Sequence, residues 1–324
     1  MKVGILGAGQ IAAAMAATLN GMDDEYQAYA IASRTLAKAE AFAAQWHIPH
    51  AYGSYEEMLQ DPEVDLVYIA TPHALHNKHA ELCIRYHKPA LVEKPFCCNK
   101  EQAEKVFADA EKEGVFITEA MWTRYMPGVS VLRDLIQSGR IGKVHMIRAD
   151  VSYPMQGKAR LNDPSLGGGA LLDVGIYALH FAMMLRDEMP LSIDGSCTKT
   201  DTGVDSQENM TLTYKDGMAA CLTSSMEVSS PLEGIIQGEK GRIRVKGPVS
   251  IKEIEVCDHR GNVLLKPEIP PQITGYEYEV EACAEALKAG HLQCDVYPHE
   301  ETVKILEVMD RLREKWGIRY PFEQ

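Results

Sequence analysis

The chain has 324 residues, 46% hydrophobic and 24% charged, with a formal net charge of −13. That length exceeds one ordinary domain and predicts two, each with a buried core. The acidic balance argues against a phosphate-backbone partner, so no nucleic-acid binding is expected. The N-terminal "MKVGILGAGQ" carries one Lys and a short apolar run broken by Gly4, a poor signal peptide. The longest apolar stretch, "GGGALLDVGIYALHFAMML", is interrupted by Gly168, Gly169, Asp173, Gly175 and His180, and no membrane span is expected. Eight cysteines without a C-x-x-C pair read as reduced thiols of a cytoplasmic protein.

Apolar and helical segments alternate over the first 118 residues. Strands are predicted at 3–6, 29–33, 64–71, 89–93 and 115–118, and helices at 10–20, 35–46, 74–87 and 100–112. Continuous apolar strands separated by helices predict a doubly wound parallel sheet, an α/β Rossmann domain over 1–120. The rhythm then changes. A helix over 128–138 and a long one over 170–186 flank a strand at 144–152. Three hairpins follow, turning at Asp216-Gly217, at Glu239–Gly241 and at Gly261-Asn262. Helices near 276–289 and 299–315 close the chain. Residues 121–324 therefore read as an α+β domain with a large, mostly antiparallel open sheet. One face of that sheet is expected to bury helices. The other is expected to be apolar and to pair two subunits into a homodimer.

"GAGQIA" places Gly7, Gly9 and Ala12 in the G-x-G-x-x-G/A spacing between a strand and a helix. Gly7 allows the tight turn, and Gly9 lets a pyrophosphate approach the backbone. Gln10 and Ile11 open the helix, whose free N–H groups and positive dipole end suit an anion. The second strand ends in "AIASRTLAK", with Ser33, Arg34 and Lys38 where an NAD enzyme usually carries an acid. A guanidinium pairs with a 2′-phosphate in a two-pronged way, so NADP is expected over NAD, with NAD possible if Arg34 only stacks on adenine. Ligands of such sheets sit at the carboxyl ends of the strands. "EKP" (93–95) ends one of them, so Lys94 is expected to project into the cleft while Glu93 offsets its charge.

The motifs "GAGQIA", "IATPHALH", "VEKPF", "TEAMWTRYMP" and "GGGALLDVGIYALH", in this order, resemble the glucose–fructose oxidoreductase/inositol dehydrogenase/rhizopine-catabolism (Gfo/Idh/MocA) family over essentially the whole chain. "TGVD" (202–205), "GYEYE" (275–279) and the Tyr of "DVGIY" are similar to the branch holding dihydrodiol and D-xylose dehydrogenases; many other members carry His where Tyr177 stands. The resemblance implies that Tyr177 moves the substrate hydroxyl proton, that Lys94 favours its phenolate, and that Asp173 orients a substrate hydroxyl. A free Tyr has a pKa near ~10, and bringing it to ~7 takes roughly 4 kcal/mol, of which a nearby ammonium supplies a good part. Asp173 and Tyr177, four apart on a helix, are expected to share a face, and His180 is a weaker candidate. Thr71, His73 and His76 are similar to the family's cofactor-contact loop. Trp122 and Arg124 resemble residues lining its site. Cys97 and Cys98 read as small buried apolar residues. His79, Cys83 and His87 fall at i, i+4, i+8, but no second cluster completes a metal set, so no metal is expected.

The expected activity is hydride transfer between NADP(H) and a hydroxyl carbon of a sugar, cyclic polyol or vicinal diol. A silent dinucleotide-sensing regulator of the same fold is the alternative, and a redox cycle on a retained cofactor is a third possibility.

Overall fold

The computed structural model describes residues 1–155, 157–186 and 188–323. The chain divides into two compact units, Met1–Tyr125 with Gln272–Val303, and Met126–Pro271 with Lys304–Gln324.

The first unit is built on six parallel strands: β1 (Lys2–Leu6), β2 (Gln27–Ala32), β3 (His50–Tyr52), β4 (Leu66–Ile69), β5 (Ala90–Glu93) and β6 (Ile117–Ala120). Their order is β3-β2-β1-β4-β5-β6, the doubly wound arrangement whose strand order reverses beside β1 and opens a crevice there. Strands β4, β5 and β6 are buried at every position, as a sheet covered on both faces requires. Helices α1 (Gln10–Gly21), α2 (Leu36–Trp46), α4 (His76–Arg85) and α5 (Lys100–Glu113) supply the cover. Asn99 caps α5 by accepting the Gln102 N–H, and Gly114 ends it in the left-handed region. The sequence pattern did not reveal β3 or the short α3 (Tyr55–Leu59); both are too brief to show a period.

Residues 272–303 belong to this first unit. Helix α8 (Glu277–Ala289) is anchored ahead of its start by Glu277, whose carboxylate accepts the N–H groups of Ile273 (2.6 Å), Thr274 (3.0 Å) and Gly275 (2.7 Å). His299, opening α9 (His299–Trp316), bonds the Ile117 carbonyl at 2.7 Å. A cut by sequence rhythm alone misses this return, because helices at the end of a chain carry no mark of the sheet they join.

The second unit holds α6 (Pro127–Gln137) and an eight-stranded sheet in the order β14-β13-β12-β11-β7-β10-β9-β8. Its strands are β7 (Val144–Ser152), β8 (Ser192–Lys199), β9 (Asp205–Thr213), β10 (Ala219–Ser225), β11 (Glu233–Gly238), β12 (Gly241–Lys246), β13 (Glu253–Cys257) and β14 (Val263–Leu265). The β9–β10, β11–β12 and β13–β14 hairpins turn where the sequence predicts. The β7–β10 pair is parallel and the rest are antiparallel. Strand β8 was not foreseen: six of its eight residues are exposed, so it lacks an apolar signature.

One expectation needs correction. The outer face of this sheet is not a continuous apolar surface: Gln207, Asn209, Thr211, Thr223 and Arg148 stand exposed on it. The stretch 164–183 is long and apolar enough to cross a membrane (mean hydropathy 1.4), but 89% of that window is buried inside the fold. It includes the central helix of this unit, whose apolarity comes from being enclosed on all sides.

Candidate functional site

At the carboxyl edge of the six-stranded sheet, the residues predicted to hold a dinucleotide follow the ends of β1, β2, β4 and β5. Gly7 has φ +104°, and a Cβ there would lie 2.9 Å from the Ala70 carbonyl oxygen; only glycine fits this turn. Gly9 has no atom nearer than 3.9 Å to its imagined Cβ, so its side is left open to a ligand. It precedes α1, which starts at Gln10 and Ile11 with no side-chain cap and no acid in its first turn. Its first N–H groups are thus available to an anion. After β2, Ser33 is buried and donates its N–H to the Tyr52 carbonyl at 3.2 Å, while Arg34 and Lys38 are exposed. The residues that follow β2, Ser33 to Lys38, include no acid. The arrangement fits a dinucleotide, with Arg34 and Lys38 presented to solvent where the ribose end would lie.

The next two strand ends are tied together. His76 is fully buried, and its ring nitrogens lie 2.8 Å from the Thr71 and Pro95 carbonyl oxygens. Burial, with His73 beside it, pushes its pKa down to about 3. The neutral ring donates to one carbonyl at a time, and the two loops are clamped around it. His76 is therefore committed to backbone, which corrects its reading as a ligand contact. Thr71 Oγ1 lies 2.9 Å from His79 Nδ1, and His73 is buried with its ring edge-on to His76 at 5.8 Å. Cys83 is fully buried, and among the described residues no group of three or more His, Cys, Asp or Glu is placed to hold a metal.

Between Ala90 and Cys98 every residue is buried except Lys94, which is half-open. Glu93 accepts hydrogen bonds from the Tyr68 hydroxyl and from the Lys94 N–H (3.1 Å). Burial pushes the Glu93 carboxyl up to about 7, against the pull of Lys94. A carboxyl whose folded pKa lies above its unfolded value stabilises the fold below the unfolded pKa, near ~4.5, and that contribution is lost as pH rises through ~7. Glu93→Gln should therefore flatten the fall in thermal stability across this window, by up to about 3 kcal/mol in unfolding free energy. Parallel melting curves of the two proteins over that range are the check.

Arg124 is placed differently from expectation. Arg124 is 3% exposed and clasps Glu301 at 2.8–3.0 Å through Nε and Nη2, with its guanidinium 5.7 Å from the Tyr297 ring centre. The guanidinium is buried and the Glu301 carboxylate half-buried, because a guanidinium out of water needs a carboxylate partner. Trp122 stacks on Tyr276 at 4.4 Å, which gives one tyrosine of "GYEYE" a role.

In the second unit, Leu171–Gly175 forms a π-helical turn that leads into α7 (Ile176–Met183). The predicted helix is thus shorter and wider at its start, and Asp173 and Tyr177 are not related by simple α-helical spacing. A buried carboxylate of β9 holds this turn, and a second buried acid packs against it. Asp205 accepts the Leu171 N–H at 2.5 Å, and a Cβ on Gly169 (φ +115°) would lie 2.5 Å from its Oδ1. A Cβ on Gly175 would lie 2.5 Å from Glu208 Oε1. From Gly167 to Met184 the one residue that is not buried is Tyr177. Asp173 is 5% exposed and pairs with Arg160, Nη2 to Oδ1, at 2.9 Å. Sequence reasoning missed Arg160, which sits in a short 3-10 helical turn (Ala159–Asn162) with no motif around it. His180 is buried, as are Cys97 and Cys98.

Residues 1–121 match the oxidoreductase family with an NAD-binding Rossmann fold designated GFO_IDH_MocA, and residues 129–244 match the GFO/IDH/MocA C-terminal domain. The chain belongs to this oxidoreductase family. It is 32% identical over 333 residues to the mouse trans-1,2-dihydrobenzene-1,2-diol dehydrogenase, covering 99% of this chain and 98% of that one. The human dehydrogenase of the same name is 30% identical over 328 residues, with 99% and 98% covered. In structure the chain resembles the 3-ketoreductase KijD10 of Actinomadura kijaniata in complex with NADP and TDP-benzene (TM-score 0.85, 25% identity, 97% of each chain covered). It shares the fold of the aldose–aldose oxidoreductase of Caulobacter crescentus (TM-score 0.85, 23% identity, 97% and 96% covered). The expectation of a nicotinamide-dependent dehydrogenase agrees with these relatives.

Proposed function

We propose that the protein is an NADP(H)-dependent oxidoreductase that transfers a hydride between the nicotinamide and a hydroxyl carbon of a sugar, cyclic polyol or vicinal diol. The observation that carries this is the carboxyl edge of the parallel sheet. A glycine turn, an acid-free β2 end bearing Arg34, and the half-open Lys94 all follow strand ends of one sheet. The dihydrodiol dehydrogenases and the NADP-bound ketoreductase among the relatives support the same reading.

In this reading residues 1–120 hold the cofactor, and 121–324 serve substrate binding and association. Gly7, Gly9, Gln10 and Ile11 receive the pyrophosphate, and Ser33, Arg34 and Lys38 the 2′-phosphate. Thr71, His73, Glu93 and Lys94 border the nicotinamide end, with His76 clamping that loop. The bound nicotinamide supplies the hydride acceptor or donor. Tyr177 takes the substrate hydroxyl proton as the carbon–hydrogen bond breaks, and returns it in reduction. Lys94 favours the phenolate form of Tyr177 electrostatically. Asp173, held by Arg160, accepts a neighbouring substrate hydroxyl. The protein acts in the cytoplasm, where its eight free cysteines stay reduced, and as a homodimer through the outer face of the eight-stranded sheet.

The test is NADP⁺ reduction with a panel of trans-1,2-dihydrobenzene-1,2-diol, aldoses and inositols, followed by NADPH absorbance. Turnover on a member of the panel is expected. Cofactor binding with no turnover on any of them would favour a silent sensor instead. Nicotinamide absorbance in the freshly purified protein would point to a retained cofactor.

A further inference from the structure

Lys94 must be held in place by something other than its own strand, because β5 ends at Glu93. Pro95 follows and has no N–H, so the first backbone donor beyond the lysine is that of Phe96. That N–H is donated to Glu119 Oε1 at 2.9 Å. Glu119 stands on β6 opposite Val92 of β5, so its side chain lies beside the strand that delivers the lysine. Its other oxygen, Oε2, accepts the Thr302 hydroxyl at 2.7 Å. Glu119 and Thr302 are 3% and 1% exposed, which keeps water from replacing either bond. The turn is thus gripped at the Lys94 N–H by Glu93 and at the Phe96 N–H by Glu119, with a His76 ring nitrogen 2.8 Å from the Pro95 carbonyl oxygen between them. Phe96 is itself fixed, stacked on Phe107 at 4.3 Å, with His299 on the far side of Phe107 at 3.8 Å.

We propose that Glu119 is a positioning residue for Lys94, holding the exit of its turn through the Phe96 N–H with Thr302 as its own anchor. The inference rests on the reading of Lys94 given under Proposed function. Glu119 touches no reacting atom. Its effect passes through where the lysine head group sits, and a misplacement of about 1 Å near reacting groups costs up to about 10²-fold in rate.

The experiment is a double-substitution cycle on the full chain with NADP⁺ and the best substrate that the panel assay identifies. Glu119→Ala should lower kcat by about 10- to 100-fold and leave the NADPH dissociation constant within about threefold. Glu119→Gln should recover to within about threefold of the parent, since its amide oxygen accepts the Phe96 N–H and its NH₂ donates to Thr302. Adding Glu119→Ala to Lys94→Ala should cost less than about threefold more, because the lysine it positions is already gone. Losses that multiply, a Gln variant no better than Ala, or an Ala variant within about twofold of the parent would each overturn the proposal. If Glu119→Ala does not fold, Thr302→Val removes only the anchor; it should lower kcat by about 3- to 10-fold with cofactor affinity kept, and no change overturns the proposal. Unchanged turnover in Lys94→Ala also overturns it, and that result alone would remove the role of Lys94 as well.

Discussion

Tyr177→Phe is expected to lower kcat by at least about 10²–10⁴-fold, the range for loss of a general acid/base, while NADPH binding stays nearly intact. The side chain differs by one oxygen, so packing of α7 is kept. Tyr177 is the single residue left open in an otherwise buried run from Gly167 to Met184. A helix enclosed on all sides has no packing reason to break its cover at an aromatic position, and the π-turn before it is held by the buried Asp205. Pre-steady-state and steady-state rates with the best substrate of the panel, with NADPH titrated by fluorescence, separate the two effects. A variant with kcat within about threefold of the parent would remove the tyrosine from the chemistry. A matching loss of NADPH affinity would assign it to cofactor binding instead.

Arg34→Asp should weaken NADPH by about 100-fold or more and change NADH binding by no more than about threefold. A charge-assisted hydrogen bond is worth about 1.5–3 kcal/mol, and the new carboxylate adds repulsion to the 2′-phosphate. Arg34 and Lys38 are both exposed at the end of β2 and the start of α2, so the substitution disturbs no core. The exposure also means that the selectivity should shrink as salt rises. Isothermal titration with each cofactor at two ionic strengths measures this. Equal losses for the two cofactors would mean that Arg34 meets the adenine or the pyrophosphate.

Much of this enzyme was legible before any coordinates. The glycine turn, the acid-free β2 end and Lys94 all lie within a few residues of the end of an apolar strand, and local sequence decides where such a strand stops. The hairpins of the second unit were equally plain, because Asp216-Gly217 and Gly261-Asn262 are turn chemistry and need no distant partner. The fold class and the family followed from the order of these short signals.

Other features had no local sign. Arg124 reads as a site residue beside Trp122, yet its partner Glu301 is 177 residues away. His76 lies between the Thr71 and Pro95 carbonyls and donates to one of them, an interaction that involves no second side chain. Arg160 meets Asp173 from a short 3-10 turn without a sequence pattern. Glu119 sits in a buried strand where an acid is unexpected until the Phe96 N–H and Thr302 are beside it. Glu208 and Glu279 are buried acids whose carboxyl oxygens have no hydrogen-bond partner among the described residues, and burial holds both pKa values well above the ordinary range.

By itself the sequence determined the strand and helix rhythm, the turns and the dinucleotide signature, because each depends on neighbouring residues and their steric and hydrophobic demands. Only the tertiary structure decided which polar side chains are exposed and which are buried supports. A buried charge or hydrogen-bonding group is tolerated only where a partner meets it, and here those partners arrive from distant parts of the chain.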